Sequence, residues 1–400
     1  MIVLSKGDVV LPDRVLGEGT IIIDAGRIAV IETAAVDIAG ATIIDASDCY
    51  VVPGFIDVHV HGVDGHDTLD GGEAVGHIAS RLPRYGVTAF CPTTVACPPD
   101  DLQTFLNQVR DARVAAVPGR ARVLPAHLES NFISPEYRGA QPASCLRAPG
   151  STPNDGEFSA REILDIIGAS RPDVGIVTLA PEIAGGLDLV SSLVAAGHRV
   201  SLGHSGADFD TAVAAIEAGA RHATHLFNRM TPITHRAPGL AGAVLAREEV
   251  AAELICDGYH VHPAMCRLAV AAKGAQGVMA ITDGTAASGL PVGAVARLGG
   301  RRIEARSEAA FLEEGTLAGS TLTMDRAFRT IVTRLGSSIV EAVTMCSTTP
   351  ARELGLTGFG VIAAGAMADL VVLDRGFRVV RTFIGGEQVG PVNSPSLAPV

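Results

Sequence analysis

The middle of this 400-residue chain alternates short apolar runs with amphipathic segments. Eight apolar runs end in polar residues: FIDVHVHG, VTAFCPTT, RVLPAHLE, GIVTLAPE, RVSLGHSG, RHATHLFN, VAAELICDG and GVMAITDG. Between them, apolar residues recur with a helical period over residues 100–115, 159–169, 187–197, 208–218 and 262–273. Strand-then-helix units build parallel sheets, and eight of them predict an α/β fold of the (β/α)8, TIM-barrel type. An open doubly wound sheet would give the same alternation, although no G-x-G-x-x-G motif follows an early strand.

The two ends of the chain have a different texture. Residues 1–50 and 360–389 are rich in β-branched residues separated by Gly and Asp, which is typical of short antiparallel strands with tight turns. We therefore predict a small, discontinuous β-sandwich domain from residues 1–52 and 351–390, and a barrel from residues 53–350. Residues 391–400 are predicted to form a flexible tail.

The composition argues against several classes of partner. A net charge of −12 without a run of Arg or Lys disfavours a nucleic acid or an anionic membrane. No apolar run approaches the roughly 18–20 residues that span a bilayer, and the N-terminus lacks the basic and apolar regions of a secretory signal. The seven cysteines are scattered without a C-x-x-C pair, as expected of buried thiols in a cytoplasmic protein.

Residues with metal-binding or catalytic chemistry stand at the predicted strand ends. They are His59, His61, Glu129, His204, His225, Asp257 and Asp283. In a barrel the C-terminal ends of the strands meet at one mouth, where active sites lie. His59 and His61 are two residues apart on one strand and therefore point to the same face. Imidazole and carboxylate groups together suit Zn(II), Fe(II) or a similar divalent cation.

Each of these residues also has an ordinary structural interpretation. A single histidine at a strand end is more often a hydrogen-bonded residue than a ligand, and Asp283 could cap the turn that begins Asp-Gly-Thr. The H-x-H pair alone does not decide between metal binding and a plain strand. The combination of four histidines, Glu129 and a late aspartate favours a metal centre, with Asp283 as general base and then general acid.

Several segments resemble known hydrolases. PGFIDVHVHG, at the start of the barrel, and GVIAAGAMADLVVLD, near the end of the chain, resemble the amidohydrolase superfamily. Within it, the N-acetylglucosamine-6-phosphate deacetylase family is similar in LPAHLESNF, SLGHSGAD, ATHLFNRM, HRAPGLAG, ICDGYHVHP, ITDGTAASG and EEGTLAGSTLTMDRA. The resemblance runs almost from end to end. It implies a barrel with a small β-sandwich, a divalent metal, amide hydrolysis and a homodimer.

The resemblance implies a metal-binding role for five side chains. Glu129, His204 and His225 match the core metal ligands of the family. His59 and His61 match a pair that some members use to hold a second metal and others have lost. One or two divalent cations per subunit are therefore expected, and the intact pair favours two.

Many relatives in the superfamily bridge two metals with a carboxylated lysine. The only lysines of this chain are Lys6 and Lys273, and neither stands at a predicted strand end. That chemistry is therefore excluded here, and Glu129 is the natural bridge.

The resemblance also implies a set of substrate-binding residues. Phosphate binding falls to Asn228, the backbone of Arg229, Arg236 and His260, and the last two reach in from the neighbouring subunit. A bidentate arginine suits phosphate geometry, although Arg236 could instead be a solvated loop charge. A loop over residues 316–320 is expected to close over the acetyl group and the sugar. The remaining expected substrate contacts are Ala140, Gln141, Leu317, Ala318 and Gly319.

Three departures from the family pattern lie beside the expected site. Ser130 and Asn131 replace the usual Gly-Pro after the glutamate, Gln141 replaces a substrate-contacting histidine, and Arg229 replaces an alanine. Glutamine still donates a hydrogen bond but cannot become cationic. These changes leave the expected metal ligands and Asp283 untouched, so they bear on the substrate more than on the chemistry.

Three functions remain open at this point. The favoured one is hydrolysis of the acetamide of N-acetylglucosamine 6-phosphate to glucosamine 6-phosphate and acetate. The alternatives are a deacetylase of a related N-acyl sugar phosphate, such as N-acetylgalactosamine 6-phosphate, and an amidohydrolase acting on an amide without phosphate. A catalytically inactive barrel would be marked by lost ligands or a lost strand-eight aspartate, and the sequence retains both.

Overall fold

The computed structural model of the protein describes residues 1–33, 38–115, 117–154, 157–307 and 309–389, so the predicted tail 391–400 lies outside the described residues. The first five strands are β1 (Ile2–Val10), β2 (Val15–Asp24), β3 (Arg27–Glu32), β4 (Thr42–Asp45) and β5 (Tyr50–Pro53). Strand β1 pairs antiparallel with β2 along one edge. On its other edge, its first half pairs in parallel with β4 and its second half with β5.

The barrel follows directly. Its segment of the chain contains β6 (Phe55–Val60), β7 (Gly62–Val63), β8 (His66–Asp67), β9 (Val87–Thr94), β10 (Arg122–Val123), β11 (Ala126–Glu129), β12 (Val174–Leu179), β13 (Arg199–Leu202), β14 (His222–Ala223), β15 (Ala251–Ile255) and β16 (Val278–Ile281). Eight of these strands, in the order β6-β9-β11-β12-β13-β14-β15-β16, pair in parallel. Backbone contacts between the end of β6 and the residues after β16 bring the first and last strands together, including Asp283 N–H to His59 O at 3.0 Å. The predicted (β/α)8 barrel is confirmed.

Helices cover the outside of the barrel. They are α1 (Ala74–Arg81), α2 (Pro99–Ala115), α3 (Ala160–Ala169), α4 (Gly186–Ala195), α5 (Phe209–Glu217), α6 (Gly239–Ala246), α7 (Pro263–Lys273), α8 (Met324–Thr330), α9 (Ile339–Val343) and α10 (Thr349–Glu353). The five helices predicted from periodicity are present as α2, α3, α4, α5 and α7. Their beginnings follow local sequence: Ser159 and Glu162 form a capping box at α3, and Asp208 accepts a hydrogen bond from Thr211 N–H at α5. Within the described ranges, no helix has the length and apolar character needed to cross a bilayer.

A small antiparallel sheet is inserted between β16 and α8. It consists of β17 (Val295–Leu298), β18 (Arg301–Ala305), β19 (Ala309–Leu312) and β20 (Leu317–Ser320). Gly299 and Gly300 join β17 to β18 with positive φ values of 55° and 78°, the conformation that a two-residue hairpin turn requires. This sheet was not predicted from the sequence, and it forms part of the wall of the barrel mouth.

The last strands return to the N-terminal sheet. They are β21 (Leu370–Leu373), β22 (Val379–Ile384) and β23 (Glu387–Val389). Strand β21 pairs antiparallel with β5, so strands from both ends of the chain form one continuous hydrogen-bonded sheet. Its own apolar core includes Leu4, Ile21, Ile28, Leu370 and Phe383. The predicted small β-domain built from both termini is present.

Candidate active site

Glu129 ends β11 at the mouth of the barrel, and its carboxylate is almost completely buried. Its Oε1 atom lies 2.7 Å from His204 Nε2 and 2.8 Å from His225 Nε2. The two imidazole Nε2 atoms are themselves 3.0 Å apart. The ring of His204 is oriented by a hydrogen bond from its Nδ1 to the carbonyl oxygen of Tyr137, at 2.9 Å. The three side chains therefore direct a nitrogen, nitrogen and oxygen donor set at one point.

A second group of donors adjoins the first. His59 and His61 project from the end of β6 and the residue after it, and their Nε2 atoms are 3.2 Å apart. His61 Nε2 lies 3.5 Å from Glu129 Oε2, the carboxylate oxygen that faces away from His204 and His225. Asp283 Oδ1 lies 3.3 Å from both His59 Nε2 and His61 Nε2. The structure thus brings together all six residues expected to bind metal or transfer protons.

These residues fit one or two cations. Their donor atoms form two overlapping sets, each within 4.8 Å: Glu129 with His204 and His225, and Glu129 with His59 and His61. Pairs of imidazole Nε2 atoms at 3.0–3.2 Å cannot both carry a proton and face each other, whereas a shared cation would satisfy both lone pairs. The chemistry of this donor set is therefore that of a buried site for divalent cations, with Glu129 between two positions.

The electrostatics of the cluster show how strongly its charges interact. Burial opposes ionisation of Glu129, but His204, His225 and His61 outweigh it and hold the pKa of that carboxyl well below its usual range. Burial likewise disfavours the imidazolium of His61, yet hydrogen bonds to Asp283 and Glu129 raise its pKa to about 10. A cation bound by these side chains would balance the same two carboxylates, so its binding would compete with protonation of the imidazoles.

Backbone strain is concentrated at the same residues. His204, His225 and Asp283 have positive φ values of 48°, 33° and 47°, in a region that non-glycine residues seldom adopt. Such conformations cost on the order of 1–3 kcal/mol each and persist only where the surrounding structure imposes them. All three lie just beyond the ends of barrel strands, where the chain turns sharply and directs the side chain inwards.

The cluster forms the base of a cleft of about 530 Å³. The segments after β14 and after β15 contribute further polar groups to its lining, namely Asn228, Arg229 and His260. Along the walls lie Tyr137, Gly139, Ala140, Gln141, Leu317 and Gly319. A ligand in this cleft would meet buried carboxylates and imidazoles together with cationic and amide donors.

Comparisons with known proteins agree with this arrangement. The amidohydrolase family matches residues 50–389 of the chain. N-acetylglucosamine-6-phosphate deacetylase from Rattus norvegicus is 38% identical over 358 residues, which cover 86% of this chain and 84% of that protein. The chain belongs to the N-acetylglucosamine-6-phosphate deacetylase family of amidohydrolases. The amidohydrolase family is metal-dependent, which agrees with the donor clusters at the barrel mouth.

Two further relatives widen the comparison. N-acetylgalactosamine-6-phosphate deacetylase from Escherichia coli O157:H7 is 35% identical over 337 residues, covering 84% of this chain and 86% of that protein. Among solved structures, an Asp-to-Ala mutant of N-acetyl-D-glucosamine-6-phosphate deacetylase from Mycobacterium smegmatis, in complex with N-acetyl-D-glucosamine-6-phosphate, is 33% identical. It covers 97% of this chain, which in turn covers 99% of it, and the two align with a TM-score of 0.86.

The departure from the deacetylase pattern after Glu129 is explained by internal hydrogen bonds. Ser130 Oγ donates to Thr178 O at 2.5 Å. Asn131 Nδ2 donates to the carbonyl oxygens of Cys97 and Cys145, both at 2.8 Å. Ser130 and Asn131 are buried and are not among the described residues that line the cleft, so their side chains hold the loop after β11 and do not contribute to the cleft surface.

Gln141 stands where the deacetylase family usually has a substrate-contacting histidine. Its side-chain amide is fixed at both ends, because Oε1 accepts a hydrogen bond from Ala96 N–H at 2.7 Å and Nε2 donates to Glu129 Oε2. Gln141 lines the cleft and is almost fully buried. One N–H of the Gln141 amide thus binds Glu129, a proposed metal ligand, while the residue also lines the cleft.

Residues Leu317–Ser320 form strand β20, whereas a loop able to close over the substrate was expected. Ser320 N–H donates to Asp283 O at 2.9 Å, and Ser320 also bridges to Gly284. Strand β20 is therefore tied to the segment that carries Asp283. Leu317 and Gly319 line the cleft, and Ala318 is buried behind them against the inserted sheet.

The two residues expected to reach a neighbouring subunit differ in position. His260 lines the cleft of its own chain, and Asp257, to which the sequence assigned no function, orients it by accepting a hydrogen bond from its Nδ1 at 2.5 Å. The position of Asp257 at a strand end was the available signal. Arg236 is exposed on the segment between β14 and α6 and is not among the described residues that line the cleft.

Proposed function

We propose that the protein hydrolyses the acetamide of N-acetylglucosamine 6-phosphate, with N-acetylglucosamine as the preferred sugar. The observation that carries this proposal is the polarity of the cleft. Buried Glu129, His204, His225 and Asp283 line the same cleft as Asn228, Arg229 and His260. The buried carboxylates and imidazoles suit hydrolysis of an acetamide, and the cationic and amide donors suit a phosphate.

Two divalent cations, such as Zn(II) or Fe(II), are proposed for the base of the cleft. Glu129, His204 and His225 would hold one, and His59, His61 and the other oxygen of Glu129 would hold the second. When bound, such cations polarise the acetamide carbonyl and lower the pKa of bound water. Lys6 lies on β1 and Lys273 at the end of α7, away from the mouth, which supports Glu129 as the bridging ligand.

Asp283 is proposed to transfer the proton. The carboxylate accepts a proton from the attacking water as the water oxygen bonds to the acetyl carbon. It then delivers this proton to the amide nitrogen as the carbon–nitrogen bond breaks, giving acetate and the free amine. Asp283 is suited to this because burial, which would raise its pKa, is outweighed by His59 and His61, and the net effect lowers it. It therefore begins the reaction as a carboxylate.

The remaining contacts are proposed to orient the substrate. Asn228, the backbone N–H of Arg229, and His260 would bind the phosphate, and Arg236 of a second subunit in a homodimer would complete this site. Gln141, which lines the cleft, would donate its second N–H to the acetyl group or the sugar. There Ala140, Leu317, Ala318 and Gly319 provide the wall against which the sugar packs.

A cytoplasmic location is also proposed. The seven cysteines are free thiols, and six of them are buried, as is usual in a reducing compartment. A sugar 6-phosphate is likewise a product of intracellular kinase-type chemistry, so enzyme and substrate would share this compartment.

The decisive experiment is an acetate-release assay on protein reconstituted with zinc or with iron. The substrates are the 6-phosphates of N-acetylglucosamine, N-acetylgalactosamine and N-acetylmannosamine, with unphosphorylated N-acetylglucosamine as the control. We expect the highest kcat/KM for the first and a loss of at least 10-fold without the phosphate. Absence of acetate release from all three phosphates would refute the proposal.

One second candidate is supported by a specific observation. The Escherichia coli O157:H7 relative is named as an N-acetylgalactosamine-6-phosphate deacetylase and is nearly as similar as the glucosamine enzymes. The two sugars differ only in the configuration of one hydroxyl group. A higher kcat/KM for the galactosamine epimer in the same assay would favour this second candidate while leaving the chemistry as proposed.

A further inference from the structure

Glu253 lies inside the barrel, beneath the metal-binding cluster. It is on strand β15, and its side chain has no exposed surface. Its Oε2 atom accepts a hydrogen bond from His59 Nδ1 at 2.9 Å. The same oxygen lies 3.4 Å from the backbone N–H of His225. A buried carboxylate is costly unless it is hydrogen-bonded, so this contact with His59 is energetically significant.

The contact determines which nitrogen of His59 carries a proton. A carboxylate can only accept, so Nδ1 is the protonated nitrogen of His59. The Nε2 atom then has a lone pair, and it is this atom that faces His61 Nε2 at 3.2 Å and Asp283 Oδ1 at 3.3 Å. Without Glu253, the opposite tautomer would place a proton where a cation must bind.

His127 does not compete for this role. It lies on β11, and its Nδ1 donates to Val58 O at 3.0 Å while its Nε2 accepts from Thr178 Oγ1 at 2.7 Å. Both ring nitrogens are therefore occupied, although His59, His127 and Glu253 are close enough for a metal. Oε1 of Glu253 has no hydrogen-bond partner among the described residues and is 3.7 Å from His127 Nδ1. The short hydrogen bond of the Glu253 side chain is thus the one with His59 at 2.9 Å, and the bond from His225 N–H is longer, at 3.4 Å.

We propose that Glu253 is a positioning residue for the second metal: it fixes the tautomer and the orientation of His59 so that Nε2 is presented to the cation held with His61 and Glu129. This inference rests on the proposed two-metal centre. A carboxylate behind a metal-binding imidazole raises its basicity, and removal of such a partner typically lowers metal affinity by about 10- to 100-fold.

The test measures metal content and metal affinity, not turnover alone. Wild type and Glu253→Gln, which has the same size but no charge, are stripped with chelator and titrated with Zn(II) by calorimetry, with stoichiometry checked by mass spectrometry. We expect two sites in wild type. In Glu253→Gln we expect one site of unchanged affinity and a second weakened about 10- to 100-fold.

A control variant separates loss of a carboxylate beside the cluster from loss of Glu253 beneath it. Glu182 also binds polar groups near the cluster, accepting hydrogen bonds from Ser205 Oγ at 2.7 Å and Gly206 N–H at 2.6 Å, but it contacts no imidazole among the proposed ligands. Glu182→Gln should retain both metals with wild-type affinity. An equal loss in Glu182→Gln and Glu253→Gln would overturn the specific role of Glu253.

A double-mutant cycle with His59→Gln tests whether Glu253 influences metal binding through His59. If Glu253 acts through His59, then Glu253→Gln changes metal binding no further once His59 has been replaced. Additional loss in the double variant, loss of both metals in Glu253→Gln, or two unaltered metals in Glu253→Gln would each overturn the inference. Two metals of equal affinity in wild type and in Glu253→Gln would overturn the role of Glu253 but not the proposed two-metal centre. A single metal in wild type would overturn both.

Discussion

The Asp283 carboxylate lies next to two imidazoles of the metal-binding cluster. Its Oδ1 is 3.3 Å from His59 and His61, and its backbone N–H is bonded to His59 O. The left-handed backbone conformation of Asp283 is imposed by these contacts and by Ser320. An N-cap, the ordinary structural alternative, would need the carboxylate to face the following turn, but here it faces the metal-binding cluster.

Asp283→Asn is therefore expected to retain the metal and lose the reaction. Asparagine has the same size and can keep the position, but its amide cannot accept the proton of water. We expect unchanged metal content and a fall in kcat of about 10²- to 10⁴-fold, the usual contribution of a general base or acid. Metal analysis and acetate release check the two halves separately. A variant with kcat near wild type would contradict the proposed role.

The Gln141 side chain is expected to matter for stability as well as for the substrate. Gln141→Leu removes both hydrogen bonds of the amide and leaves the buried N–H of Ala96 without a partner. Such an orphaned buried group costs about 1–3 kcal/mol, so the midpoint of denaturant unfolding should fall. Gln103→Leu on α2 is the matched control, because Gln103 makes only a 3.3 Å hydrogen bond to Asn107 near the surface. An equal change in both variants would contradict this account.

At the scale of the secondary-structure elements, strand β20 and the segment after β16 act as one unit. Gly319 permits their close approach: it has φ of +66°, and a Cβ there would lie 2.7 Å from Thr285 Cγ2 and 3.0 Å from Asp283 O. Gly315, in the turn before β20, also has a positive φ, of +85°, but a Cβ there would meet no atom within 4 Å. Alanine substitutions at Gly315 and Gly319 therefore distinguish the effect of backbone strain alone from that of strain with a steric clash.

Gly319→Ala should lower both stability and activity, and Gly315→Ala only stability. The alanine at 315 meets backbone strain of about 1 kcal/mol, whereas the alanine at 319 adds a clash of about 1–3 kcal/mol and displaces Asp283. Unfolding midpoints and kcat on the same samples measure the two effects. Equal losses of kcat in the two variants would show that β20 does not position Asp283.

The elements that the sequence predicted are those with a strong periodic signal. The strand VTAFCPTT and the helix over residues 100–115 have clear apolar patterns, and each belongs to one strand–helix unit of the barrel. The inserted sheet was missed because its strands are only four or five residues long. The glycines that join them, such as Gly299 and Gly300, are as typical of an irregular loop as of a hairpin turn. The closing loop over residues 316–320 was expected from the family resemblance, whereas Leu317–Ser320 form a paired strand.

The site was predicted to a similar extent. His59, His61, Glu129, His204, His225 and Asp283 could be found because barrel geometry brings strand ends together, whatever the details of the loops. The contacts of Asp257 with His260 and of Glu253 with His59 depend on which side chain approaches which ring nitrogen, and strand position alone does not give that. Whether His260 lines the cleft of its own chain or of a neighbour depends on the path of the loop that carries it, which the sequence does not give. The assignment of His260 to a neighbouring subunit therefore rested on the family resemblance alone.

At the scale of the whole molecule, the cleft has a polar mouth to which its own chain contributes His260 but not Arg236. A homodimer, in which Arg236 reaches the cleft of the partner, would add a second guanidinium to that of Arg229. Replacement of an arginine that binds phosphate directly should lower kcat/KM by at least about 10-fold, since charged hydrogen bonds contribute about 1.5–3 kcal/mol. Arg236→Ala alone, however, does not reveal which subunit the side chain serves.

Mixing two impaired variants answers that question. Arg236→Ala and Asp283→Asn subunits, unfolded together and reassociated at random, would give about half mixed dimers, each with one complete site if Arg236 acts across the interface, and so about a quarter of wild-type activity. His260→Ala mixed with Asp283→Asn is the matched control and should stay inactive, because His260 lines the cleft of its own chain. Activity is measured at substrate concentrations below KM, where loss of phosphate binding has its full effect. Failure of the first mixture to regain activity would place Arg236 outside the partner's site, and recovery in the second would show that His260, too, crosses between subunits.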